Sequence, residues 1–316
     1  MAGVLFWFVY RDMDFSRLSE VFRSGIHIEW IILSIILSTL SNIIRGLRWH
    51  ILLEPVCPGG KKSTAILGVF VSYAVNLLFP RAGEVARCGI LHKKDRLSFT
   101  RSLGTVITER TFDAICLVII AVIAILLQLG FFRNFFLQNP ESLDKLLSAV
   151  SSVYIWGSLL VLIALFFILK KQLKSTRLYD RIRDFVLKLW EGMKSIVNLK
   201  RPVLFVLYTV SIWLIYFIMF YIGKFFFSFD IDLGLLPMLS GFVMGTLGIL
   251  APVQGGIGAY HFMVIYTLMF YGVPESDAGI FALVVHGLQT IVSLLSGLVA
   301  WTILHFNDKI LQKYQN

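Results

Sequence analysis

Charge is what this sequence has least of. Asp, Glu, Lys and Arg together make up 15% of its 316 residues, where a soluble domain carries about 25%. The deficit is uneven: charges fall in short blocks, and the stretches between them are almost wholly apolar. Cysteine is scarce as well. Cys57, Cys88 and Cys116 have no metal-ligand spacing and form no disulfide framework. His-Glu-x-x-His, Gly-x-Ser-x-Gly, a Walker loop and Cys-x-x-Cys are all missing. These absences argue against an enzyme, call for no cofactor or metal, and exclude ATP hydrolysis by a Walker loop. Any transport would run downhill, by exchange or by ion coupling. The start lacks the basic region and small-residue cleavage site of a secretory signal. Met1 to Tyr10 instead resembles the tail of a first helix.

What the sequence does have is long apolar runs. A helix of about 20 apolar residues crosses a hydrocarbon core of roughly 30 Å. Helices are required because nothing in that core satisfies an open backbone. The clearest runs are 28–50, 104–132, 150–169, 203–227 and 278–305. With the partial helix at 1–10 they predict an all-α polytopic membrane protein of about six spans, one membrane domain over 1–316. Two shorter apolar stretches are interrupted. Residues 64–79 run into Pro80-Arg81-Ala82-Gly83, and 235–251 into Pro252-Val253-Gln254-Gly255, with a further apolar piece at 259–272. Proline cannot donate to a helix, and glycine reaches backbone angles that other residues resist. Each stretch reads as a re-entrant hairpin with a Pro-x-x-Gly turn. Two ordinary spans joined by a surface loop are the alternative.

The net charge of +10 does not indicate nucleic acid, because the basic residues sit in loops beside apolar runs, where they meet lipid phosphates. With both hairpins re-entrant, segments 45–63, 81–103, 170–202 and 306–316 share one side and hold 22 of the 29 Lys and Arg residues. Positive-inside bias puts that side, and the C-terminus, in the cytoplasm of a cell (inner) membrane. The same arrangement makes 28–132 and 203–305 two units of span, hairpin and span with opposite orientation, the organisation of many secondary transporters. The linker, 133–202, contributes one span. It also holds a basic segment in which Leu178, Ile182, Phe185, Leu189 and Met193 recur at helical spacing. That segment fits an amphipathic helix on an anionic leaflet, and equally a solvated helix that sets topology.

Charges beside or inside apolar segments are costly and mark candidate sites. Arg45 and Arg48 share a helix face near the end of the first full run. Asn76, Arg81, Glu84 and Arg87 surround the first turn. Glu109 and Asp113 share a face, with Arg110 beside them. Gln254, Gly255, Gly256 and His261 belong to the second turn. Snorkelling to headgroups, or a purely structural ion-pair network, is the plainer account of the arginines. The functional one is a cavity for an anionic headgroup, since a guanidinium holds phosphate through two hydrogen bonds. Gly255-Gly256 is a second expected anion site, through backbone N–H groups at a helix start. His286 reads as a satisfied buried histidine.

Four motifs in order carry a resemblance. They are Arg45-Gly46-Leu47-Arg48-Trp49; Asn76-Leu77-Leu78-Phe79-Pro80-Arg81-Ala82-Gly83-Glu84-Val85-Ala86-Arg87; Glu109-Arg110-Thr111-Phe112-Asp113; and Pro252-Val253-Gln254-Gly255-Gly256-Ile257-Gly258. Over roughly 28–305 the chain is similar to the membrane region of lysylphosphatidylglycerol synthases, also known alone as flippase-like proteins. The resemblance implies membrane lipids as partners. In full-length synthases such a region moves aminoacylated phospholipid between leaflets, and a soluble domain attaches the amino acid. This sequence stops about ten residues after its last apolar run, so the lysyltransferase activity is not carried over. The family often has Gly-x-x-Glu after the second turn. Here the residues are Gly258-Ala259-Tyr260-His261, so a fixed negative charge for a cationic headgroup is not implied. The resulting expectation is a protein that flips a phospholipid or lipid-linked phosphate. The alternative is a membrane subunit that presents lipid to a separate transferase of envelope synthesis. Self-association, or a partner from that synthesis, is compatible with either.

Overall fold

Apolar periodicity, broken by two short turns, produces helices and little else. The computed structural model describes residues 2–11, 19–21, 25–131, 199–228, 231–251 and 253–313, with positions 23, 133, 157 and 187. Nine α-helices account for most of them. They are α1 (Ala2–Tyr10), α2 (Ile28–Leu53), α3 (Lys62–Leu78), α4 (Ala82–Asp95), α5 (Phe99–Leu127), α6 (Pro202–Ile222), α7 (Leu235–Leu250), α8 (Ala259–Phe270) and α9 (Glu275–Lys313). Among the described residues there is no strand, only one isolated bridge between Ile26 and Phe227.

Four helices are long and apolar enough to cross a membrane: Ile28–Leu53, Phe99–Leu127, Pro202–Phe226 and Glu275–Phe306. The protein is therefore a multi-pass membrane protein. The third of these spans is α6 extended by a 3-10 turn, Gly223–Phe226. About six spans were expected, one of them the partial helix at 1–10. The run at 150–169 and the basic segment after it lie outside the described residues. At nine residues, α1 is about 14 Å long, half of a hydrocarbon core. The span expected at 104–132 starts earlier, at Phe99, because Ser98 caps it by accepting a hydrogen bond from the Arg101 N–H.

Both interrupted stretches are helical hairpins. In the first, α4 returns along α3, and Gly83 sits so close to the Ser72 carbonyl that an added Cβ would lie 2.0 Å from it. In the second, Gly241, Gly245 and Gly248 lie along one face of α7, where α8 packs. A Cβ on Gly248 would sit 2.7 Å from the Ala259 carbonyl oxygen. Small residues at this spacing let apolar helices approach backbone to backbone.

The two halves exchange contacts reciprocally. Helix α2 packs along α6, α9 along the hairpin helix α3, and α5 against the hairpin helix α7. The largest apolar core lies in the second half, where Phe220 packs edge-on against Phe281 with ring centroids 5.2 Å apart. Outside that core, Val203, Val206, Val210 and Leu214 on α6 and Val118, Val122 and Ile125 on α5 are exposed. Such one-sided apolar stripes fit a lipid surround.

Candidate functional site

The buried face of α2 is polar along much of its length. Ser34, Ser38, Ser41, Arg45 and Arg48 recur every three or four residues, and all are buried. Their spacing makes a single stripe, about 21 Å from end to end. Opposite its arginine end stand Glu109 and Asp113 of α5, one helical turn apart.

These groups form a dense ion cluster. Glu109 Oε1 lies 3.0 Å from both Arg45 Nε and Arg48 Nη2. Asp113 accepts from Arg45 and, at 2.8 Å, from Arg48 Nη2. Arg87 reaches in from α4 and places Nη2 2.8 Å from Glu109 Oε2. Those two atoms are close enough to pair as charges but are misaligned, so neither has a hydrogen-bond partner. Glu84 accepts from Arg110 at 2.6 Å, and Arg110 Nη1 lies 3.8 Å from Asp113.

Neighbouring side chains hold the cluster in shape. Arg45 donates to the Tyr216 hydroxyl at 3.1 Å, which itself pairs with the Tyr73 hydroxyl. Arg48 Nη1 donates to Thr209 at 3.3 Å. Arg87 lies over the Trp49 ring, 4.4 Å from its centroid, and Trp49 Nε1 donates to Thr105. Four guanidinium groups thus face three carboxylates, leaving one positive charge in excess. Such an arrangement is a weak source of stability and strongly destabilising when one partner is lost. It is suited to an anion, because Arg48 Nε and Arg87 Nε are buried donors with no hydrogen-bond partner among the described residues.

The chain has now shown membrane-crossing helices and a buried arginine–carboxylate cluster built from three of the four motifs. The family described as the lysylphosphatidylglycerol synthase TM region matches residues 1–297. The chain belongs to that family. No curated protein and no solved structure matches it. Membership ties this lysylphosphatidylglycerol synthase-type membrane region to membrane lipids.

Within this family member, the thirteen candidate residues separate into three places. Arg45, Arg48, Glu84, Arg87, Glu109, Arg110 and Asp113 make the cluster. Asn76 and Arg81 organise the first turn. Asn76 Oδ1 accepts from the Gly83 N–H at 2.8 Å. Arg81, a candidate for the anionic-headgroup cavity, stands apart from the cluster and makes no ion pair among those described. Its backbone is left-handed, φ 63°, and its Nη2 donates to the Leu250 carbonyl at 3.3 Å.

Gln254, Gly255, Gly256 and His261 stay with the second turn. The anion site expected at Gly255-Gly256 is not formed as a helix start. The Gly256 N–H is taken by the Val253 carbonyl at 3.3 Å within a single 3-10 turn, Gln254–Gly256, and the next α-helix starts only at Ala259. His261 is buried and accepts from the Gly258 N–H, while His286 bonds the Gly255 carbonyl. Pro252 lies outside the described residues. An open hollow of about 470 Å³ lies between α1 and the two turns, lined by Gly3, Phe6, Leu77, Leu78, Gln254 and Ile257.

Sequence reasoning missed Tyr73, Thr209 and Tyr216, which stand on other helices and have no local signature. It also missed the serine stripe on α2, although the spacing 34, 38, 41, 45, 48 was there to count.

Proposed function

We propose that this chain moves a lipid with an anionic headgroup, a phospholipid or a lipid-linked phosphate, between the leaflets of the membrane. The observation that carries this reading is the excess positive charge of the buried cluster at the end of the polar stripe of α2. A phosphate monoester or diester supplies the missing negative charge, and its acyl chains remain in the surrounding lipid. Arg110, the most exposed of the four arginines, receives the headgroup first, and Arg48 and Arg87 have unused donors behind it. The serine hydroxyls of α2 continue a polar path away from the cluster.

The two hairpins are re-entrant in this reading, and 28–132 and 203–305 form an inverted repeat. The reciprocal packing of α9 on α3 and of α5 on α7 supports it, because a two-fold relation demands such pairs. Rocking of one unit against the other would expose the headgroup path alternately. The contact between hairpin tips, Arg81 to Leu250, would open and close with it.

The test is leaflet transfer of labelled phospholipids and polyprenyl phosphates in proteoliposomes. Transfer above that of protein-free liposomes, reduced in Arg110→Ala, is the expected result. A rate equal to protein-free liposomes for every lipid would overturn the reading. Lipid that is retained but not transferred would point instead to a subunit presenting lipid to a separate transferase.

A further inference from the structure

A second hollow opens where one membrane-crossing helix ends and another begins. The span Ile28–Leu53 stops there and the span Pro202–Phe226 starts there, so the hollow lies at the membrane boundary. Its volume is about 280 Å³, just under the roughly 300 Å³ at which small-molecule sites begin, so it fits a headgroup and not a whole lipid. Leu53 and Cys57, both buried, lie on its inner side, and His50, Glu54 and the turn Pro58–Gly60 line it from the end of α2. Lys200 and Arg201 line it from the start of α6.

Its charges favour an anion. Lys200 and Arg201 are exposed, and neither has an ion pair among the described residues. Glu54 is the one acidic residue described in its lining, and it faces His50 Nδ1, one turn earlier, at 3.5 Å. Counted in full against the two cations, it still leaves one positive charge in excess. His50 Nε2 donates to the Gly60 carbonyl at 2.9 Å and so holds the turn against α2. Helix α6 starts at Pro202 with no side chain capping it, so the positive end of its dipole adds to the two cations. Basic hollows between spans at this level suit the phosphates of anionic lipids.

The hollow is separate from the arginine–carboxylate cluster. Arg201 precedes Thr209, the α6 partner of Arg48, by eight residues, about 12 Å along the helix. Phe205 stands between them, buried against Ile51 and Leu52, with the Arg48 guanidinium 5.8 Å from its ring centroid. We propose that the hollow binds the phosphate of an anionic phospholipid from the adjoining leaflet, as a second headgroup site with its own donors, Lys200 and Arg201. Binding here does not depend on the translocation reading.

The test places a fluorophore on Pro58→Cys, at the exposed edge of the hollow, in a Cys116→Ala background and phosphatidylcholine nanodiscs. Phosphatidylglycerol is added to the discs in increasing fraction, and inorganic phosphate to the buffer at constant ionic strength. The signal is expected to saturate with phosphatidylglycerol and to ignore inorganic phosphate. Lys200→Gln combined with Arg201→Gln is expected to need about tenfold more of the lipid, since two interfacial cations are removed. Glu54→Gln is expected to need less, because the positive excess grows. Arg110→Ala, in the other site, is expected to leave the response unchanged. A signal that never saturates, an unchanged response in the double variant, or a weakened one in Glu54→Gln would each overturn the site. A response to inorganic phosphate alone would make this a site for free phosphate and overturn the lipid assignment. A response lost in Arg110→Ala would merge the two sites and overturn their separation. Absent leaflet transfer with the response intact removes the translocation reading and leaves this site.

Discussion

Arg81 of the first turn donates a hydrogen bond to the carbonyl of Leu250 at the end of α7. The tips of the two hairpins are thereby fastened to each other. The contact is made from a left-handed backbone, which in a non-glycine residue costs roughly 1–2 kcal/mol. In Arg81→Gly that strain is relieved and the greater freedom of the unfolded chain offsets the gain, so stability stays within about 1 kcal/mol. The tip contact is lost. Thermal unfolding should be nearly unchanged, while cross-linking of Leu78→Cys to Gln254→Cys becomes less efficient. Unaltered cross-linking would mean that the bond does not hold the tips together.

Glu109 is fully buried and meets three arginines. Glu109→Gln leaves four guanidinium groups with two carboxylates, and removing one partner of such a group costs about 3–5 kcal/mol. Thermal unfolding in a fixed detergent measures this. Asp113→Asn should cost less, because its side chain is 13% exposed and water can share the burden. The double variant Glu109→Gln with Arg87→Gln should recover part of the loss; simple additivity would mean that the two charges do not interact.

Gly83 and Gly89 occupy the same helix and should respond oppositely to alanine. At Gly83 the new methyl would meet the Ser72 carbonyl at 2.0 Å, so α3 and α4 must separate, at a cost of about 1–3 kcal/mol or more. At Gly89 nothing lies within 4 Å, and alanine gains up to about 1 kcal/mol of helix propensity. A destabilising Gly89→Ala or a neutral Gly83→Ala, read by thermal unfolding, would contradict the hairpin packing.

Arg110 is the partly open member of the cluster, its side chain 41% exposed. Its ion pair with Glu84 is therefore worth at most about 1 kcal/mol. Arg110→Ala should leave stability within that range and reduce the anionic lipid that co-purifies with the protein, as read by mass spectrometry. Equal lipid retention would remove Arg110 from the headgroup path.

Several of these features were legible before any fold was known. Arg45 and Arg48, three residues apart, had to share a helix face, as did Glu109 and Asp113, four apart. The structure joins those two faces. The Pro-x-x-Gly at residues 80–83 announced its turn, because proline and glycine act locally. The fate of Arg81 was not legible. Its left-handed backbone aims it at a helix more than 160 residues away in sequence, and no local pattern encodes that direction. Gly255-Gly256 was legible only in part: two glycines advertise free N–H groups, but that the Val253 carbonyl takes the one on Gly256 is decided by the path of the turn.

The sequence by itself determined the helices, the two breaks in them and the pairing of like-spaced charges on each helix. Those depend on periodicity and on residues acting within one or two turns. Only the tertiary structure decided which faces meet. It brought Arg87 over Trp49, set Tyr216 and Thr209 beside the arginines, and kept the second turn with its histidines rather than with the charge cluster. Apolar helices in a lipid surround have no hydrophobic preference for one neighbour over another, so close packing at small residues such as Gly46 and Gly297 selects the partners.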